Sequence, residues 1–234
     1  MVRRMKTLVT GASRGIGLEL VRQLCNRGDE VVACARNPAD ARDLAALAGD
    51  LVQLHRLDVA DAASVRALAT ALGSAAIDVV FNVAGVYGAN DQSLDAMADL
   101  AMADVARTYE VNAIGALRVV VALLPHVRRG AKKKLVHVTS GMGSISDNAS
   151  GGNYAYRMSK AALNMMSRSL AVDLRGEGIT SVVINPGWVQ TDMGGRGAPT
   201  PVEDSVRGIL REVDRATLAE SGEFLNWKGN RYAW

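Results

Sequence analysis

Short apolar runs alternate with longer segments of helical periodicity along most of the chain. The runs at residues 7–9, 31–35, 51–57, 77–81, 134–138 and 179–184 are short and mostly continuous, as expected for strands that are buried on both faces. Helical patterns fill the intervals at residues 18–24, 39–47, 62–72, 93–127, 153–175 and 205–214. This alternation predicts an α/β fold with a doubly wound parallel sheet and helices on both faces.

The less regular segments carry their own predictions. The segment 93–127 is predicted to divide into two helices near residues 109–112, and residues 190–201, with three glycines and two prolines, predict a mobile loop. Phe224, Trp227, Tyr232 and Trp234 predict a tail that packs back on the domain, with a short strand near Phe224. No linker or repeat divides the sequence, so residues 1–234 are predicted to form a single Rossmann-type domain.

The first predicted strand ends in a glycine-rich turn. Gly11, Gly15 and Gly17 follow it with the spacing G-x-x-x-G-x-G, and a helical pattern begins directly afterwards. A strand, glycine turn and helix in this order direct free N–H groups and the positive end of a helix dipole at one place, which suits a phosphate group. The turn therefore predicts a dinucleotide site, although a tight turn without a ligand has the same pattern.

The same stretch allows a second interpretation. Gly11-Ala12-Ser13-Arg14-Gly15 also fits G-x-S-x-G, the nucleophile elbow of α/β-hydrolases, which lies on a strand-to-helix turn as well. That fold requires an acid and then a histidine after the serine. The histidines are His55, His126 and His137, and none lies in the last third of the chain.

Composition and charge narrow the classes of partner. The 234 residues are 49% hydrophobic and 22% charged, with a net charge of +3, so no nucleic-acid partner is expected. Cys25 and Cys34 are too few for a disulfide framework and too far apart for a C-x-x-C motif, and no metal site is predicted.

No uninterrupted apolar run approaches the ~18 residues of a membrane span, and the basic start of the chain meets Gly11 before a signal-like apolar region develops. We therefore expect a soluble cytoplasmic protein.

A tyrosine and a lysine on one predicted helix suggest proton-transfer chemistry. Tyr156 and Lys160 are four residues apart and so share a helix face, and an ammonium close to a phenol lowers the tyrosine pKa from its reference near 10. Ser140 follows the fifth predicted strand, whose carboxyl end opens on the same sheet edge as the glycine turn. Each feature alone is common, and it is their combination that favours a catalytic site.

With these residues the chain resembles the short-chain dehydrogenase/reductases, in their single-domain branch. The matching segments, in family order, are Thr10-Gly11-Ala12-Ser13-Arg14-Gly15-Ile16-Gly17, Asp58-Val59, Asn82-Val83-Ala84-Gly85, Asn112, Ser140, Tyr156-Arg157-Met158-Ser159-Lys160 and Asn185-Pro186-Gly187. The segment 185–193 and the aromatic tail resemble the C-factor-like and sniffer-like carbonyl reductases. One departure is Val83, where the family usually has a second asparagine.

The resemblance implies a catalytic role for four residues. Tyr156 would exchange a proton with the substrate oxygen, Ser140 would hydrogen-bond that oxygen, and Lys160 would lower the tyrosine pKa and bind the nicotinamide ribose. Asn112 would hold a water that links Lys160 to solvent. The substrate would be a small carbonyl or alcohol. Tyr87, Met142, Trp188 and Met193 flank the motif residues and predict a largely apolar pocket, although ordinary packing would explain each of them equally well.

The resemblance also implies a coenzyme site. Its residues would be Gly11, Ser13, Arg14, Gly15, Ile16 and Gly17 at the phosphates, Asp58 and Val59 at the adenine, Ala84 and Gly85 beside the ribose, and Pro186, Gly187, Val189 and Thr191 at the carboxamide, together with Tyr156 and Lys160. Asn82, counted with the site, would tie the central strands together. At the end of the second strand Ala35 stands where an NAD site needs a carboxylate, and Arg36 follows it. Because a guanidinium pairs with a 2′-phosphate, Arg36 and Arg14 predict NADP(H) in preference to NAD(H).

Two further expectations concern the oligomeric state and whether the protein is an enzyme. The family resemblance implies a homodimer or homotetramer built on the helices at 93–127 and 153–175, with the small and apolar residues Ala113, Ala116, Ala161, Ala162, Leu163, Met165 and Met166. A dinucleotide-binding protein of this fold with a signalling or protein-contact role remains the alternative to an enzyme.

Overall fold

A computed structural model describes residues 4–88 and 102–234 of the chain. Its described part contains a seven-stranded parallel sheet with the strand order β3-β2-β1-β4-β5-β6-β7. The strands are β1 (Lys6–Thr10), β2 (Glu30–Ala35), β3 (Val52–Arg56), β4 (Val79–Asn82), β5 (Lys134–Val138), β6 (Thr180–Asn185) and β7 (Phe224–Asn226). The predicted doubly wound fold is confirmed, and the order reverses between β1 and β4, which is where ligands bind in such sheets.

Helices cover both faces of the sheet. They are α1 (Gly15–Asn26), α2 (Arg42–Ala45), α3 (Ala62–Leu72), α4 (Met102–Tyr109), α5 (Gly115–Arg129), α6 (Tyr154–Asp173) and α7 (Val202–Arg215). One apolar core joins α1 and α7 to one face, and a second core joins α3 and α5 to the other. Successive strand residues such as Leu8 and Val9 belong to opposite cores, because side chains alternate across a strand.

Several element boundaries differ from the sequence prediction. Residues 93–101 of the predicted helical segment lie outside the described residues. The rest of that segment does not break, because α4 and α5 are joined by a π-helical segment, Glu110–Ile114, in which the N–H of Gly115 donates to the carbonyl of Glu110. The helix predicted at 39–47 is reduced to the four residues of α2, and the predicted strand near Phe224 is present as β7.

The continuous helix Met102–Arg129 has 28 residues and is long and apolar enough, by length and composition alone, to cross a membrane. Half of its apolar window is buried inside the domain, where Val119 and Leu123 are fully enclosed. A core helix with one buried face has the same composition, so this match is weak evidence for a membrane. Arg107, Glu110 and Arg118 interrupt the apolar residues of this helix, so it contains no long uninterrupted apolar run.

Candidate active site

The glycine-rich turn between β1 and α1 packs tightly against the segment after β4. Gly11 has a φ of 68°, and a Cβ placed on it would lie 2.8 Å from the Cα of Ala84. Gly15 has a φ of 53°, and its Cβ would lie 3.2 Å from the Thr191 methyl. A side chain at position 17 would collide with the carbonyl of Gly11. Glycine is therefore required both by the backbone conformation and by the close packing.

The N-terminus of α1 has no protein cap. Arg14 precedes the helix with extended backbone and makes no side-chain capping bond, and the first turn holds no acidic residue. The leading N–H groups and the positive end of the helix dipole are thus available for an anion beside the glycine turn. These features fit the phosphates of a dinucleotide. A Cβ at Gly15 would lie between the glycine turn and Thr191, and the family resemblance assigns both of these segments to the coenzyme site.

Thr10 is a site residue that sequence reasoning did not single out. It is buried at the end of β1, and its hydroxyl accepts hydrogen bonds from the N–H groups of Val83 and Ala84 at 3.0 and 3.1 Å. The hydroxyl therefore holds the segment after β4 against the glycine turn. A threonine that ends the strand directly before the turn is the sequence signal for this role.

Asn82 lies within the sheet at the end of β4 and is buried. Its Nδ2 is 3.1 Å from Nδ1 of His137 on β5, and the other ring nitrogen of His137 lies 3.5 Å from the Ser181 hydroxyl on β6. Burial lowers the pKa of His137 to about 3, so this ring is neutral and acts as a hydrogen-bonding core residue. Asn82 therefore joins the central strands beneath the site.

Tyr156 and Ser140 meet in the cleft at the carboxyl edge of the sheet. Tyr156 is buried in the first turn of α6, and burial raises its pKa to about 12. The Ser140 side chain acts in the opposite direction, and the neighbouring Tyr87 raises the pKa further. The sequence-based expectation of a lowered tyrosine pKa is therefore wrong for the chain by itself, since desolvation of a phenolate costs more than the Ser140 side chain contributes.

Lys160 follows one turn later on α6 and is also buried. Its ammonium lies 5.6 Å from the centre of the Tyr156 ring and donates to the main-chain oxygen of Val138 at 2.9 Å. Burial lowers the pKa of Lys160 to about 8. The lysine thus stays mostly protonated at neutral pH and places a positive charge beside the phenol, where it favours any step that leaves the phenol ionised.

Asn112 is held by the π-helical segment and is almost fully buried. Its Oδ1 accepts from the N–H of Val86, and its Nδ2 donates to the carbonyl of Val86 and to the Ser159 hydroxyl, each at 2.8–2.9 Å. The side chain therefore fixes the segment after β4 against α6. The expected link from Lys160 through a water at Asn112 to solvent stays a prediction.

The turn that carries Ser140 is stabilised by a residue that the sequence prediction missed. Asn164 on α6 donates to the carbonyl of Gly143 at 3.0 Å and accepts from the Thr139 hydroxyl at 2.6 Å. The Ser140 hydroxyl itself accepts from the N–H of Met142 at 3.1 Å. The sequence signal for this role of Asn164 is a polar residue on the apolar face of a predicted helix.

The expected adenine and carboxamide segments flank this centre. Asp58 accepts from the N–H of Ala60, and Val59 is buried against Gly115 at the start of α5. After β6, the N–H of Gly187 donates to the side chain of Asn185, and the Thr191 hydroxyl accepts from the N–H of Gly194. The segment 190–201 is tied down by main-chain bonds between Gln190 and Thr200 and between Thr200 and Trp188.

The two arginines predicted at a coenzyme phosphate have different surroundings. Arg14 forms an exposed ion pair with Asp192, with Nη1 and Oδ2 3.1 Å apart. Arg36 is exposed at the end of β2, and no described residue forms an ion pair or a side-chain hydrogen bond with it. Arg36 is therefore the freer of the two to meet an anion.

Tyr87 contacts Tyr156, and further apolar side chains lie on the segments that follow β5 and β6. The ring of Tyr87 lies 4.7 Å from that of Tyr156, and its hydroxyl donates to Asn153 at 2.7 Å. Trp188 and Met193 are about half exposed on the segment after β6, and Met142 is half-buried beside Ser140. Exposed apolar side chains on the segments beside the site are compatible with a largely apolar substrate.

The hydrolase interpretation finds no support in the described residues. His126 contacts the carbonyl of Ala75, His137 is committed to Asn82 and Ser181, and no hydrogen bond joins a histidine to Ser13. No group of three or more potential metal ligands occurs among the described residues either.

Comparison with known proteins gives consistent matches. The family model described as short chain dehydrogenase matches residues 6–200. The chain is 50% identical over 170 residues to C-signal of Myxococcus xanthus, which covers 73% of this chain and all of that protein. Among solved structures it is similar to the carbonyl reductase Sniffer of D. melanogaster (30% identity, TM-score 0.92, covering 99% of this chain and 100% of that one) and to an NADPH-bound carbonyl reductase from chicken fatty liver (33% identity, TM-score 0.91, covering 100% of both).

Proposed function

Since the chain belongs to the short chain dehydrogenase family, and is thus an oxidoreductase, we propose that it reduces small carbonyl compounds with NADPH. The observation that carries this proposal is the group of Tyr156, Ser140 and Lys160, buried together at the sheet edge beside an uncapped, glycine-lined helix N-terminus. The NADPH-bound carbonyl reductase among the similar structures supports the choice of coenzyme and substrate class.

In the proposed reaction Tyr156 protonates the carbonyl oxygen of the substrate. Ser140, which lies beside the phenol, orients that oxygen, and the ammonium of Lys160 stabilises the phenolate that forms. The nicotinamide coenzyme supplies the hydride when it is bound. A water held at Asn112 is the proposed route by which Lys160 and the phenol regain a proton from solvent.

The proposed coenzyme site uses segments that the fold brings to one edge. The glycine turn and the N-terminus of α1 would hold the phosphates, Asp58 and Val59 the adenine, and the segment from Gly187 to Thr191 the carboxamide. Arg36 would bind a 2′-phosphate, and Ala35 beside it offers no carboxylate to repel one.

The test is a turnover screen in which NADPH consumption is followed with quinones, diketones and aromatic aldehydes. We expect turnover with several apolar carbonyl compounds and loss of that turnover in Tyr156→Phe. Tight NADPH binding without turnover across the panel would contradict the reductase proposal.

A second candidate function rests on the similarity to C-signal, whose name describes a signal. In this alternative the chain binds a dinucleotide and acts through protein contact with little turnover. The retained Tyr156, Ser140, Lys160 and Asn112 favour the enzyme, because a pure binding protein has no need of all four. The same screen distinguishes the two.

We also propose a homodimer in the cytoplasm. Three exposed apolar residues seven positions apart on α6, Met158, Met165 and Val172, support an interface. The π-helical segment also exposes Ile114, and α5 exposes Leu117 and Val121. Of the residues first expected there, Ala113, Ala116 and Leu163 are buried within the chain and are not available to a partner. Fractionation of cells that produce the tagged protein tests the location.

A further inference from the structure

The segment after β7 reverses direction and returns across the active-site edge of the sheet. A turn at residues 226–231 is closed by the N–H of Asn226, which donates to the carbonyl of Asn230 at 2.8 Å. Beyond the turn, the N–H of Tyr232 donates to the carbonyl of Phe224 at 2.7 Å, and their rings lie 4.9 Å apart. The segment that follows the turn is thereby fixed to β7 at the edge of the sheet.

Tyr232 lies directly against the turn that carries Ser140. A Cβ on Gly141 would lie 2.6 Å from the Tyr232 hydroxyl oxygen and 3.0 Å from Cζ, so the phenol covers this glycine closely. The hydroxyl donates to Asp147 at 2.8 Å, and the main-chain oxygen of Trp234 accepts from the N–H of Ser146 at 2.9 Å. The residues that follow the Ser140 turn are thus held at two points by the returning segment.

Trp227, in the same segment, covers the turn on the other side of the cleft. A Cβ on Gly187 would lie 2.7 Å from Nε1 of Trp227, and the φ of 82° at Gly187 independently requires glycine. The N–H of Trp227 donates to the carbonyl of Asn185 at 3.1 Å. Gly187 begins the segment that is proposed to hold the nicotinamide.

We propose that residues 224–234 set the geometry of the active site through two positioning residues: Tyr232 fixes the turn of Ser140, and Trp227 fixes the turn of Gly187. One rigid segment then determines how the substrate carbonyl lies relative to the coenzyme, which matters because small misplacements of reacting groups cost large factors in rate. This inference rests on the proposed reductase function, and neither residue is assigned to proton or hydride transfer.

The two contacts make different kinetic predictions. Tyr232→Leu should lower kcat with an apolar carbonyl substrate about tenfold and leave the Kd for NADPH within about twofold, because only the Ser140 turn is released. Trp227→Leu should raise the Kd for NADPH about tenfold, with a smaller effect on kcat at saturating coenzyme. Arg231→Gln is the matched control, since it removes only the exposed ion pair with Glu223 and should change neither value.

The experiment measures kcat, KM and the Kd for NADPH, the last by coenzyme fluorescence, at a temperature well below the melting point of every variant. Tyr232→Phe and Trp227→Phe, which keep most of the packing, should show the same two patterns more weakly if the leucine variants do not fold. The proposal would be overturned if the two substitutions changed kcat and the Kd in the same pattern, or if neither substitution changed either value. A parent protein that binds NADPH without turnover would refute the reductase function, and the positioning proposal would then be decided by the Kd values alone.

Discussion

Lys160 places its ammonium 5.6 Å from the centre of the Tyr156 ring while it donates a hydrogen bond to the carbonyl of Val138. The lysine is therefore anchored to the sheet and its charge is fixed beside the phenol. Because burial holds the pKa of Tyr156 at about 12, the phenol is protonated throughout the neutral range and is ready to act as an acid.

Removal of the phenol should abolish catalysis and spare the coenzyme. For Tyr156→Phe we expect kcat to fall at least ~10²-fold, the usual scale for a positioned acid, while the Kd for NADPH changes little because the ring remains. Lys160→Ala should impair both, since the lysine is proposed to bind the ribose as well. Near-parental turnover of Tyr156→Phe would show that another group is the acid.

Reduction should also lose rate on the alkaline side of neutrality. The pKa of Lys160 is lowered to about 8, so the ammonium is present below that pH and is lost above it, whereas Tyr156 stays protonated. We expect kcat for reduction to be level below pH 8 and to decline above it. In Lys160→Arg, whose charge persists, the remaining activity should not decline in this range. The measurement is a kcat profile from pH 6 to 10, and a rise through pH 8 would contradict the assignment.

Coenzyme preference should depend mainly on Arg36. A hydrogen bond to a charged group contributes about 1.5–3 kcal/mol, so paired contacts should favour NADPH over NADH by ~10²-fold in kcat/KM. Arg36→Ala should reduce this preference more than Arg14→Ala, because Arg14 is engaged with Asp192. Ala35→Asp combined with Arg36→Ile should shift the preference toward NADH. Equal kcat/KM values for both coenzymes in the parent would mean that neither arginine reads the phosphate.

His137 should make the fold sensitive to acid. Its pKa is lowered to about 3 in the fold, so between pH 6.5 and 3 the unfolded chain binds a proton that the folded chain does not. The free energy of unfolding should therefore fall by up to ~1.4 kcal/mol for each pH unit of acidification below 6.5. His137→Gln keeps a hydrogen-bonding side chain and should show a shallower dependence. Urea unfolding at pH 7, 6 and 5 provides the comparison, and parallel curves for the two proteins would refute the assignment.

The proposed dimer should depend on the exposed stripe of α6. Met165→Glu puts a charge on a side chain that is 66% exposed in the single chain and should convert the dimer to a monomer. Arg66→Glu, on the exposed side of α3, changes charge away from this stripe and should leave the mass unchanged. Light scattering at micromolar concentration measures both. A monomeric parent would refute the assembly without affecting the catalytic proposals.

Local pattern was sufficient to predict the features that depend on neighbouring residues in the chain. The bounds of α3 and β5 match the prediction, and the spacing of Tyr156 and Lys160 correctly placed both on one helix face. The direction of the Tyr156 pKa shift was not predictable in this way, because it depends on how completely distant segments exclude water from the phenol. The same holds for Thr10 and Asn164, whose partners lie far away in the sequence.

The residues expected at a subunit interface illustrate the same limit. Exposed apolar side chains do occur on α5 and α6, but periodicity alone did not tell which side of each helix faces the core. Ala113 and Ala116 face inward, whereas Leu117 and Val121 face outward. The π-helical segment contains Ala113 and changes the helical phase before Ala116, Leu117 and Val121, and no sequence signal predicted it.

Because of this phase change, the position of Asn112 depends on the number of residues in the helix Met102–Arg129. The π-helical segment inserts one additional residue into a turn, and Asn112 reaches both Val86 and Ser159 from within it. Deletion of a single residue there would restore an ordinary α-helix and rotate α4 by about a quarter turn relative to α5. The chain would keep its helices and its sheet, yet the amide that joins the end of β4 to the tyrosine helix would point elsewhere. A change in residue count, with no change in residue type at the catalytic positions, would thus be enough to disassemble the centre.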